Sequence, residues 1–106
     1  MIPQKTIEEL IIKHSTLEQD LSSGKLDKKL FAEKSKEYSD LNDIVDSAKK
    51  YISYDKDKVE LEKIFNDQNA DKELIKMAHS ELESLKSQHE HNEKKLKLFL
   101  LPKDEA

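Results

Sequence analysis

Between Lys25 and Leu101 the chain contains no residue that breaks a helix: its only glycine is Gly24 and its two prolines are Pro3 and Pro102. Tight turns and β-hairpins draw on glycine and proline, as do flexible linkers. A chain this poor in both has little besides long helices open to it, and the apolar spacing agrees. Ile7, Leu10, Ile11, His14, Leu17 and Leu21 recur at steps of three and four, the period of one helix face. Thr6, with Glu9 three residues on, fits a capping box, so a first helix is expected from about Thr6 to Leu21. Ser22-Ser23-Gly24-Lys25 ends it, with Gly24 the natural site for a positive φ.

A second helix is expected from near Asp27 to about Phe65, with Leu30, Lys34, Tyr38, Leu41, Val45, Ala48, Ile52 and Val59 along one seam. Leu61, Ile64 and Phe65 continue it on a shifted phase. The polar interval Ser53 to Lys58 leaves room for a kink or a second helix start, but no proline or glycine forces one. One helix of roughly 39 residues would be about 58 Å long at 1.5 Å per residue. Asn66-Asp67-Gln68-Asn69-Ala70 is the only other turn signal, since Asn and Asp side chains bond their own backbone in turns. Asp71 then caps a third helix running to about Leu101, with Leu74, Ala78, Leu82, Leu85, Leu96 and Phe99 on its seam. His89 and Asn92 interrupt that seam, as register-fixing polar residues do in coiled coils. Short turns join antiparallel neighbours, so the expected fold is all-α: an antiparallel three-helix bundle with coiled-coil character and one long central helix. With 35% hydrophobic against 40% charged residues, it can bury only narrow seams.

The chain size fits one domain. Pro102 stops the last helix, so residues 1–101 read as the helical domain. Residues 102–106 read either as the start of a linker to missing downstream domains or as a frayed tail. No cysteine is present, which rules out disulfide and thiolate chemistry and fits the cytosol. No apolar run approaches the roughly 20 residues of a membrane span. Met1-Ile2-Pro3-Gln4 does not open a signal peptide. A net charge of −4 argues against a general nucleic-acid binder.

His14, His79, His89 and His91 invite a metal, but no two stand three or four apart, as a helix-borne pair requires, so solvated or seam histidines are expected and no metal or cofactor. The carboxylates Asp40, Asp43, Asp46, Glu81, Glu83, Glu90 and Glu93 would need a pocket to act as acid or base. Most have lysine partners at helical spacing, such as Glu33 with Lys36 and Asp46 with Lys50. There is no serine in a glycine elbow and no phosphate-cradling loop, so no enzyme and no small-molecule substrate are expected. Lys25, Lys28 and Lys29, and Lys94, Lys95 and Lys97, could touch RNA phosphate or form solvated faces. Tyr51 and Tyr54 flank Ile52 and are open to two readings, an exposed partner surface or half-buried packing.

Several segments, taken in order, resemble one family. Ile7-Glu8-Glu9-Leu10 is similar to its first helix. Ser35, Glu37, Tyr38 and Leu41 match an S-x-E-Y-x-x-L stretch. Ile64-Phe65-Asn66-Asp67, followed by Glu73 to Ala78 and Glu81-Leu82, resembles its second turn and the E-M-A-x-x-E-L opening of its third helix. Leu100-Leu101-Pro102-Lys103-Asp104 resembles the close of its N-terminal domain. The family is the bacterial peptide chain release factor 1 family, class I and stop-codon-reading. The family usually has a proline in its second turn, where this chain has Gln68-Asn69-Ala70. Peptide release in the family is attributed to a Gly-Gly-Gln loop and codon reading to a separate tripeptide, and neither is in this sequence. The resemblance therefore implies a docking module that meets the ribosome at the large-subunit stalk base and affects the GTPase release factor. A stand-alone coiled-coil scaffold is the competing reading. The isolated fragment is expected to be a monomer. If the third helix returns to the end where the first turn lies, Asn66, Asp67, Gln68 and Asn69 form the free tip and the candidate partner-binding residues, with an ordinary solvated turn as the alternative.

Overall fold

The computed structural model describes residues 1–102; residues 103–106, most of the expected linker start, lie outside it. Three helices account for the described chain: α1 (Gln4–Ser22), α2 (Lys28–Phe65) and α3 (Lys72–Leu100), with no strand among the described residues. α2 is continuous through the polar interval at 53–58. Its 38 residues correspond to about 57 Å of helix, close to the 60 Å long axis of the molecule.

Both later helices start as their sequences predict. The Asp27 carboxylate accepts from the Leu30 N–H (2.8 Å) and that of Asp71 from the Leu74 N–H (2.7 Å), which satisfies donors that a helix start leaves open. α1 differs. It begins at Gln4, two residues before Thr6, and no side chain caps it. The Thr6–Glu9 capping box does not form. Instead the Pro3 carbonyl accepts from the N–H groups of Thr6 (3.1 Å) and Ile7 (3.4 Å). Ile2 is buried and its N–H donates to the Tyr51 hydroxyl (3.2 Å). That anchor fixes the chain just before a proline whose ring already holds a helix-compatible φ, so the helix starts there. At the other end of α1, Gly24 has φ +71°. α3 stops at Leu100, and Leu101 is extended with ψ 140°, as a residue before proline must be.

The helices do not pack along their whole lengths. Lys34 meets Asp20, Glu37 meets Lys13 and Tyr51 meets Ile2. Partners in α1 and the residues just before it thus fall in number as those in α2 rise. On the other side Phe65 meets His79, Tyr54 meets His89 and Tyr51 meets Glu93. α1 therefore covers the first half of α2 and α3 the second half. Among the described residues, no α-carbon of α1 lies within 8 Å of one in α3. The molecule is two helical hairpins sharing a central helix, with a radius of gyration of 18.6 Å against the roughly 13 Å of a compact chain of about 100 residues.

The core sits where the hairpins overlap. Ile2, Ile7 and Leu17 join Leu41, Ile44 and Ala48 of α2 and Leu96 of α3 in one buried cluster. Here α2 has neighbours on two sides, so Ile44 and Ser47 are buried beside the expected Leu41 and Ala48. Away from the overlap the single-seam reading fails: Leu30, Val59, Leu74 and Phe99 are exposed. Leu30, Val59 and Leu74 lie where only one neighbouring helix is present, and a two-helix contact covers a narrow stripe; Phe99 lies at the edge of a groove that it lines with Leu10 of α1 and Leu41 of α2. The expected Glu33–Lys36 pair is not among the ion pairs of the described residues, whereas Asp46–Lys50 forms at 3.2 Å.

Candidate functional site

The two turns lie at opposite ends of the long axis, and α3 ends beside the middle of α2. Phe99 and Leu101 line a groove with Leu10 and Leu41. The expectation that α3 returns to the end holding the first turn is therefore corrected. Twenty-nine residues in α3 against 38 in α2 cannot span the same length at one rise per residue.

At the second turn, Asn66, Asp67, Gln68 and Asn69 are all exposed. Asp67 is committed to the turn itself. Its carboxylate accepts from the Asn69 N–H (2.9 Å) and its carbonyl from the Ala70 N–H (3.2 Å), a side-chain-closed turn of the kind Asp favours. Gln68 and Asn69 have no side-chain hydrogen bond among the described residues. Two apolar side chains on the first turns of α3, Leu74 and Met77, are exposed at 43% and 60%. Met77 lines an open groove of about 520 Å³ with Lys72, Glu73, Lys76 and Ser80. The tip is therefore a small polar turn with a soft apolar shoulder. Sequence reasoning placed Leu74 in the seam and did not single out Met77 as exposed. The signal that could have found them is the absence of a facing apolar residue beyond Phe65 on α2.

At the opposite end Lys25, Lys28 and Lys29 are exposed and unpaired among the described residues, while Lys34 is held by Asp20 at 2.7 Å. Lys94 and Lys95 are likewise exposed, but Lys97 pairs with Glu93 at 3.0 Å.

The most densely connected polar group lies between the ends. The Tyr51 hydroxyl, which accepts from Ile2, donates to Glu93 (3.3 Å). The Met1 amino group lies 4.0 Å from the same carboxylate and His89 Nε2 3.9 Å. The Lys97 ammonium, through its hydrogen bond, holds the Glu93 carboxyl below the usual carboxylate range, while Lys97 itself is raised by the same bond. His89 stacks on both Tyr51 (4.8 Å between rings) and Tyr54 (3.7 Å). Both tyrosines are thus half-buried in packing, the second of their two readings. The same device recurs: His14 stacks on Tyr38 and bonds Asn42, and His79 stacks on Phe65. Flat imidazole–aromatic stacks fill the interfaces of a chain short of aliphatic residues, so these three histidines belong to packing. Among the described residues no group of three His, Asp or Glu side chains could hold a metal. None of the described helices is long and apolar enough to cross a membrane.

Comparison with known proteins gives a consistent result. The PCRF domain family model matches residues 10–106. The chain is 66% identical over all its residues to a peptide chain release factor 1 of Pelagibacter ubique (strain HTCC1062), and covers 30% of that protein. It is 39% identical over 97 residues, 89% of the chain and 26% of the relative, to the peptide chain release factor 1 of Rickettsia bellii (strain OSU 85-389). A third, from Magnetococcus marinus, is 33% identical over 106 residues, 98% of the chain and 29% of the relative. The chain thus spans less than a third of the length of these curated relatives, at their N-terminal region. No solved structure matches at comparable significance. With nearly its whole length matched by the family model, and with the motifs of α1, α2 and α3 in order, the chain belongs to the PCRF domain family.

Proposed function

We propose that the chain is the N-terminal docking domain of a peptide chain release factor, acting in translation termination by contact with the ribosome. The observation that carries this reading is the 66% identity across every residue to a protein named peptide chain release factor 1. The chemistry of peptide release and of codon reading would then belong to the remaining two thirds of such a factor, and this domain would contribute binding and orientation without being an enzyme. A cytoplasmic location, where ribosomes work, belongs to the same proposal.

The tip at Asn66 to Asn69, extended onto Leu74 and Met77, is the surface proposed to meet the ribosome at the stalk base, and through it to influence the GTPase release factor. An unpartnered Gln68 and Asn69 offer hydrogen bonds, and Met is an adaptable apolar contact. An acidic domain with this tip favours a protein partner over RNA, and hence a shallow dependence on salt. The test uses the full-length factor. Because Asp67 closes its own turn, Asp67→Asn is used so that the side-chain acceptor is kept and only the charge is lost. Gln68→Ala/Asn69→Ala and Met77→Ala probe the contact. Ribosome binding and release rate at two salt concentrations are expected to fall several-fold for these two variants, with little difference between salts. Unchanged values, with weakened binding on reversing Lys28 and Lys29, would move the contact to the other end.

A further inference from the structure

The last turn of α3 carries Leu98, Phe99 and Leu100, followed by Leu101, with exposures of 70%, 38%, 38% and 47%. Four consecutive residues go once round a helix of 3.6 residues per turn, so α2, lying on one side, cannot cover them all. Three of them are neighbours of a groove: Leu98, Phe99 and Leu101 line a cleft of about 480 Å³ with Leu10 of α1 and Leu41 of α2. Here all three helices contribute to one concave, largely apolar surface. Its rim is acidic. Lys13 and Glu37 neutralise each other at 3.1 Å, which leaves Asp40 and Asp43, both exposed and unpaired among the described residues.

We infer that this groove is the seat of a segment of the same polypeptide downstream of residue 106, one that presents apolar side chains flanked by lysine or arginine. The inference rests on reading the chain as the leading part of a release factor. Relatives are more than three times its length, since the chain covers 30% of the first of them, so a tethered occupant is to hand. Size favours the tethered occupant over a second copy of the chain. From these exposures and ordinary side-chain areas, the patch offers on the order of 400 Å², about half of the roughly 800 Å² per partner of a stable association. A tethered segment needs less, because its effective concentration reaches about the millimolar range. Charge selects the partner: Asp40 and Asp43 reward a basic flank and repel an acidic one.

The test uses the full-length factor in solution, away from ribosomes. Phe99 is replaced by the photo-reactive amino acid benzoylphenylalanine, irradiated, and the cross-linked peptides are identified by mass spectrometry. The expected result is an intramolecular cross-link to a segment beyond residue 106 with Lys or Arg beside its apolar residues. Its yield should drop at least threefold when Asp40→Lys/Asp43→Lys is added. Leu98→Asp, at a position that is mostly solvent already, should lower the yield similarly without unfolding the domain. Cross-links confined to residues 1–101, or a covalent dimer, would overturn the inference, as would a yield indifferent to both sets of substitutions. Since no ribosome is present, failure of the tip contact leaves this result untouched, and failure here leaves the tip contact standing.

Discussion

Gly24 shows what a single residue does in this molecule. Its φ of +71° is the only positive φ of the described backbone, and a Cβ at this position would meet nothing within 4 Å. Gly24→Ala therefore creates no clash, and its cost is the backbone term alone, about 1–2 kcal/mol for an L-residue held in the left-handed region. Gly24→Asn should cost less, since Asn is the other residue that tolerates this helix-ending position. Urea unfolding followed by circular dichroism would rank the two variants; equal stability of Gly24→Ala and the parent would show that the turn adopts another conformation. This position was legible in the sequence because one glycine among 106 residues, next to a helix stop, has few other uses. The histidines were legible only in part. Their spacing offers no helix-borne pair, but nothing in it indicated that His14, His79 and His89 would each lie flat on an aromatic ring of α2. A stack depends on which residues two helices bring together, and no single helix's periodicity contains that.

At the scale of the element, helix existence, the start near Asp27 and the Asp71 cap could be read directly, because caps and breakers act within a few residues; the Thr6–Glu9 box failed because the chain is anchored earlier, at Ile2. The buried faces could be read only where one neighbour dictates them. Leu41 and Ala48 were recovered, whereas Ile44 and Ser47 needed knowledge of the second neighbour, and Leu74 and Val59 remain about half exposed. α3 gives the sharpest contrast. Leu96 is fully buried and Leu98, two residues on, is 70% exposed. Leu96→Ala should destabilise by about 2–5 kcal/mol, the cost of a core cavity. Leu98→Ala should stay within about 0.5 kcal/mol, as exposed substitutions do. Thermal or urea melts of the two variants check this, and similar midpoints would mean that the helix is rotated from the phase described here.

As a whole molecule the chain is an extended pair of hairpins with one small core at their junction. Residues 1–106 alone should be monomeric and largely helical, because each seam is closed by a neighbour within the same chain and the residual apolar patch is too small for tight self-association. Sedimentation at micromolar concentration measures this. A stable dimer would favour the stand-alone scaffold. The overlap of the hairpins at Leu41 to Tyr51 also has a mechanical meaning. α2 passes through that junction as one uninterrupted rod, with about 33 Å of helix between Ile44 and Asn66. Sideways force at the Asn66 turn is resisted chiefly by the clamp around Ile44 and Ala48, so the tip works on a long lever arm. A tilt of about 5° at the clamp sweeps the far turn of an arm this long through about 3 Å, while Leu101, beside the fulcrum, moves far less. A domain built this way can follow a moving partner at its tip while its core stays in place.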